Sequence, residues 1–93
     1  MAKFLMMGKY SIEAMKEMSP QRTEKAVSVI NKAGGKVDSM FALMGAFDLA
    51  LIVEFPTISD AVRTSITLAK MTGIAFTTYP AITVDEFDKL ISE

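Results

Sequence analysis

Gly45-Ala46-Phe47-Asp48-Leu49-Ala50-Leu51-Ile52-Val53-Glu54-Phe55-Pro56 is the stretch on which the fold turns. Phe47, Leu49, Leu51 and Val53 point one way and Asp48, Ala50, Ile52 and Glu54 the other, the period of two that marks a strand. One side is large and apolar, and the other is smaller with a charge at each end. Pro56, which has no amide to offer a ladder, stops the run. Upstream, Val37 to Met44 is a second strand-like run. Only Gly45-Ala46 separates the two, which is hairpin spacing, so they are expected to pair antiparallel.

Helices flank this pair. Ser19-Pro20 opens the first, Ser capping free amides and Pro occupying a first position whose amide has no intrahelical partner. Ala26, Val27, Ile30 and Ala33 form its apolar stripe, and Gly34-Gly35 ends it. Thr57-Ile58-Ser59-Asp60 resembles a capping box for a helix reaching about Met71 and closing at Gly73, with Ile58, Val62, Ile66 and Ala69 as its expected buried stripe. Outside the helices lie two more strands. Lys3 to Tyr10 is apolar on both alternating sets in its middle, and Ile74 to Pro80 places Ile74, Phe76 and Thr78 on one side. A short helical turn is expected within Ser11 to Met18. Thr83 and Glu86 make a capping box, with Ile82 and Phe87 at staple positions, so Thr83 to Ser92 reads as a terminal helix burying Phe87, Leu90 and Ile91.

The order is β-α-β-β-α-β-α, a β-α-β unit in each half. It predicts an α+β fold: one four-stranded antiparallel sheet, two crossover helices on one face, and the first and third strands in the middle. The second sheet face is then uncovered. Its expected members, Leu5, Met7, Met40, Ala42, Met44, Ala50 and Ile52, are too apolar for water, so the terminal helix or another subunit's sheet should cover it. A homo-oligomer, dimer or higher, follows. Ala42 and Ala50 would leave room between two sheets about 10 Å apart, giving a cavity with an apolar middle and a polar rim at Asp48, Lys9 and Tyr79.

The 93 residues suit a single domain spanning 1–93, and 51% of them are hydrophobic, which again favours a second buried surface. Cys, His and Trp are absent, which removes disulfides, thiol nucleophiles, imidazole bases and the usual zinc and copper sites, and suits a reducing cytoplasm. No metal and no cofactor is expected. No apolar run reaches the roughly 20 residues of a membrane span, and residues 1–7 lack signal-peptide features. Charge is dipolar: residues 1–36 carry net +4 and residues 37–93 net −5. Acids interleaved with the bases argue against a nucleic-acid surface, and neither Gly8-Lys9-Tyr10 nor Gly35-Lys36-Val37 has the spacing of a phosphate loop.

Three segments together carry a family resemblance: Phe4-Leu5-Met6-Met7-Gly8-Lys9-Tyr10, Gly45-Ala46-Phe47-Asp48 with the strand after it, and Tyr79-Pro80-Ala81-Ile82-Thr83 before an acidic capped helix. They resemble the GYD domain family, with Phe47 standing where the family motif has Tyr. The resemblance covers nearly the whole chain and implies a ferredoxin-like fold in a dimeric α/β barrel type of assembly. Gly45-Ala46-Phe47-Asp48 and Gly73-Ile74-Ala75-Phe76-Thr77 are also similar to strands in the effector-binding domain of leucine-responsive regulators, which implies an oligomeric small-molecule binding module. The alternative is a cofactor-free barrel enzyme, oxygenase- or isomerase-like, on a small organic substrate; such oxygenases commonly use His, Asn or Trp, and this chain has only Asn31.

Lys9, Tyr10, Asp48, Ala50 and Tyr79 are the candidate ligand-binding residues. Asp48 at the strand start either binds an amine or serves as a base, or it accepts backbone amides. Lys9 and Tyr10 end the first strand near the same rim. The eight Met suit adaptable packing, and Arg22, Glu54 and Arg63 read as solvated.

Overall fold

A computed structural model describes residues 1–92 of the chain. Its elements are β1 (Ala2–Tyr10), α1 (Ile12–Lys16), α2 (Pro20–Lys32), β2 (Lys36–Ala42), β3 (Leu49–Phe55), α3 (Ile58–Thr72), β4 (Ile74–Ala81) and α4 (Val84–Ile91). The four strands form one open antiparallel sheet in the order β2-β3-β1-β4, the ferredoxin-like arrangement with β1 and β3 central.

Local chemistry sets the helix ends as the sequence indicates. The Ser11, Ser19, Thr57 and Thr83 hydroxyls each accept the amide three residues on, at the starts of α1, α2, α3 and α4. Asp60 reaches back to the Thr57 hydroxyl, Oγ1 donating at 2.8 Å, and Glu86 does the same with Thr83 at 3.1 Å. Gly34 and Gly73 end α2 and α3 with φ of 82° and 74°, where a Cβ would be strained.

One sheet face packs against α2 and α3. Phe4 and Met6 of β1, Leu51, Val53 and Phe55 of β3, Ile30 of α2, and Ala61 and Leu68 of α3 form the core, with the Phe4 and Phe55 rings edge-on at 6.1 Å. Three expectations fail on this frame. The first concerns β2: Val37 pairs with Val53 and Met40 with Leu51, so these two residues, three apart, share the helix-covered face. A bulge between Val37 and Ser39 supplies the extra residue and reverses the alternation. Met40 and Ala42 therefore leave the open face and Phe41 joins it, opposite Ala50, while Met44 lies in the 43–48 loop, fully exposed. That loop is six residues rather than a two-residue hairpin, closed by the Leu43 amide donating to the Asp48 carbonyl at 2.8 Å.

The second concerns α3, whose buried residues are Ala61, Thr64, Leu68 and Thr72, with Ile58, Val62 and Ile66 on the outside. Ala61 sits in the cluster that holds Phe4 and Phe55, where large rings on the sheet leave room only for a small side chain on the helix. The third concerns α4. It buries none of its residues, Leu90 being 69% exposed, and it does not fold over the open sheet face. The molecule measures 50 × 29 × 18 Å, its thickness that of one sheet and one helix layer.

Candidate functional site

Strand alternation at the end of β1 sends neighbouring residues to opposite faces. Gly8 and Tyr10 face the helices, and Lys9 faces outward. A Cβ on Gly8 would lie 2.9 Å from Ile74 Cγ2 and 3.0 Å from a Phe76 ring carbon, so the β4 side chains occupy the space that a larger residue would need. They form part of the floor of a cavity of about 50 Å³ between α2, α3 and the sheet. That is about a third of the roughly 150 Å³ of an apolar cavity that takes a benzene ring.

The floor is apolar: Leu49 and Leu51 from β3, Leu68 from α3, Ile74 and Phe76 from β4. Thr72 also lines it, but its hydroxyl is engaged, donating to the Leu68 carbonyl at 2.6 Å and accepting the Ile74 amide at 3.2 Å. Tyr10, Arg22 and Thr23 line both this cavity and a wide outer bowl of about 370 Å³ shared with Met18, Ser19 and Pro20. These three residues are the mouth. Arg22 is held there from three directions: its amide donates to the capping Ser19 hydroxyl at 3.1 Å, Nη1 donates to the Ala14 carbonyl, and the guanidinium stacks over the Tyr10 ring, 5.3 Å from the centroid. Such cation–π contacts contribute about 0.5–1 kcal/mol at exposed sites.

Asp48 acts behind Tyr10. Its carboxylate accepts the Tyr10 amide at 2.9 Å and lies 3.6 Å from Lys9 Nζ, and its own amide donates to the Gly8 carbonyl at 2.8 Å. It thus fastens the 43–48 loop to the last residues of β1, and the amide it accepts comes from across the sheet rather than from its own turn.

The five residues singled out in sequence divide between two places. Tyr10 lines the cavity. Lys9 and Asp48 pair at one end of the open face, Ala50 lies in its middle in a row with Phe41, Met7 and Thr77, and Tyr79 lies in the next row with Leu5, Ile52 and Ser39. The opposite end of that face carries the Lys3–Asp38 pair at 3.1 Å together with Lys36 and Glu54. The hydrogen bond from Lys3 holds the Asp38 carboxyl below its ordinary value, and the same bond raises the Lys3 ammonium above its own.

Sequence reading missed Arg22, Thr23, Ala26 and Leu68 as cavity residues. One signal was present: the first turn of α2 has an arginine and no acid, although helix starts favour acids, and Ala26 follows Arg22 by one helical turn.

Solved structures share the fold, among them the two that follow. The Mycobacterium tuberculosis leucine response regulatory protein (LrpA) superposes with a TM-score of 0.58 at 7% identity over 89% of this chain and 51% of that one. A protein assigned as a glycine cleavage system transcriptional repressor gives 0.64 at 15% identity over 90% and 48%. The chain therefore spans about half the length of each. No curated protein is significantly similar to it. Among the described residues no helix is long and apolar enough to cross a membrane. The model of the GYD domain family matches residues 4–91, nearly the whole sequence from within β1 to the end of α4, and the chain belongs to that family.

Proposed function

We propose that this chain is a small-molecule binding module that works as a homo-oligomer, with the ligand held in the cavity beneath α2. The observation that carries the reading is the cavity itself: an apolar floor, a mouth of three polar side chains, and a lining without carboxylate or amine. A lining of that kind holds a molecule and offers little general acid–base chemistry, so binding is favoured over the barrel-enzyme reading. The fold is shared with one protein named for its response to leucine and another for glycine cleavage regulation, which supports a role in sensing a small metabolite.

The open face supports assembly. Leu5, Met7, Phe41, Ala50 and Ile52 occupy its centre and ion pairs its two ends, the apolar-core, polar-rim anatomy of a protein interface. The apolar residues of α4 stand away from their own chain and fit a helix that reaches a second copy. Two such faces in contact would give the barrel-type dimer, with Lys9, Asp48, Ala50 and Tyr79 at or beside the junction. Glu54, Asp38 and Asp48 among the lysines of this face make it a poor surface for nucleic acid.

Thermal-shift screening of a small-metabolite library against the wild type and Ala26→Leu tests the ligand site. Ala26 lines the cavity from α2, and leucine there should fill it, raise the melting temperature and remove the shifts caused by ligands. Ligand shifts that persist undiminished in a stabilised Ala26→Leu protein would place the site elsewhere.

A further inference from the structure

Among the described residues, Arg22 makes one side-chain hydrogen bond and no ion pair, although four other basic residues, Lys3, Lys9, Lys36 and Arg63, each have a carboxylate within 4 Å. A guanidinium carries five donors in a rigid fork and stays charged at any physiological pH. Here one donor is spent on Ala14 and the guanidinium carbon sits over the Tyr10 ring, which fixes the group at the cavity mouth with the remaining donors uncommitted. Thr23 adds a hydroxyl beside it, and behind both the floor is made of leucine, isoleucine and phenylalanine side chains.

We infer that the cavity takes a small carboxylic acid with a short branched tail and no amine, the carboxylate seated on Arg22 and the tail end among Leu51, Leu68, Ile74 and Phe76. The inference rests on the cavity being the ligand site, as proposed above. Carboxylate and guanidinium match in shape and charge, and a charge-assisted pair of this kind is stronger than a neutral one. The missing amine follows from the lining. An α-ammonium beside the carboxylate would sit within the mouth, where Tyr10, Arg22 and Thr23 include no carboxylate to pair with it and Arg22 repels it. The site therefore discriminates against free amino acids and selects deaminated acids of the same skeleton. The volume limits what enters the floor: about 50 Å³ is a third of the roughly 150 Å³ that takes a benzene ring, so only a branched tail end enters, with the rest of the chain and the head in the outer bowl.

Three probes of one skeleton separate the possibilities: isocaproate, its uncharged amide, and free leucine, which is isocaproate with an α-amino group. Methyl resonances of Leu51, Leu68 and Ile74 report binding in the cavity. Isocaproate should saturate these shifts at about millimolar concentration or below, with the amide and leucine at least about tenfold weaker. Arg22→Gln should weaken isocaproate about tenfold or more and leave the amide unchanged, and Arg22→Lys should recover part of the loss. An amide that binds as tightly as the acid overturns the carboxylate assignment and leaves the binding module standing. Leucine binding as tightly as isocaproate overturns the exclusion of amines. Failure of all three, and of the wider library, to move those methyls removes both the inference and the proposed ligand site. Should Arg22→Gln fail to fold, the three probes on the wild type still decide.

Discussion

The two faces of the sheet are built from the same strands and differ in what covers them. On one, Phe4, Met6, Leu51, Val53 and Phe55 are sealed under α2 and α3; on the other, Leu5, Met7, Ala50 and Ile52 alternate with them and remain half-exposed. Neighbouring residues of β1 and β3 thus do different work. The covered face holds the chain together and contains the cavity. The open face is apolar in the middle and ionic at both ends, the layout of a surface completed by another molecule.

Adjacent residues of β1 test this contrast most strongly. Phe4→Ala empties part of the sealed core and should cost about 3–5 kcal/mol in denaturant unfolding. Leu5→Ala, one residue away, should cost the isolated chain less than about 2 kcal/mol and act mainly by weakening association, seen as a protein-concentration dependence of the midpoint. Equal, concentration-independent losses at both positions would mean that the faces do not differ in kind.

A smaller effect separates the helices that belong to the covered face from the one that does not. Thr57 and Thr83 make the same cap, so each change to Ala removes about 0.5–2 kcal/mol of local stability. For α3, packed on the core, the loss should appear in global unfolding. For α4, which buries nothing on its own chain, it should appear as faster amide exchange confined to Val84–Ile91 in the dissociated protein.

The weakest effect is the pH response of the Lys3–Asp38 pair at the edge of the open face. The Asp38 carboxyl is lowered in the folded chain, so its contribution is present above the unfolded-state value and fades as pH falls through the lower folded one. The Lys3 ammonium is raised, so its share is present below its unfolded value and lost as pH climbs through the higher folded one. Stability attributable to the pair should be level across neutral pH and decline at the acid and alkaline extremes, and Asp38→Asn should remove both declines.

Element order, sheet topology and the starts of α2, α3 and α4 were legible, because those signals are local: Ser19-Pro20, Thr57 with Asp60, Thr83 with Glu86, and the glycines at 34 and 73. What escaped depended on contacts distant in sequence. β2 carries apolar residues on both parities, so one bulged residue at 38–39 exchanged Met40 for Phe41 on the open face without leaving a local trace. α3 offers two stripes, and the greasier one, Ile58, Val62 and Ile66, lost the core to the smaller one because Phe4 and Phe55 already filled the space. The capping box of α4 was readable although what its apolar side meets was not. Of the site, Tyr10 was found from its place at the end of β1. Arg22 was read as solvated, since only the meeting of α2 with Gly8, Ile74 and Phe76 creates the cavity it guards.

Sedimentation equilibrium of the wild type and Ile52→Asp at micromolar concentration tests the central claim, that the open sheet face is buried between copies. Ile52 lies on β3 between Leu5 and Ser39, in the middle of that face, and an aspartate there would be an unpaired charge in a dry contact while facing water in a single chain. The wild type should sediment at twice 10.2 kDa or a higher multiple, and the variant at 10.2 kDa with unchanged circular dichroism. A wild type that sediments at 10.2 kDa, or an Ile52→Asp protein that stays assembled, would contradict it.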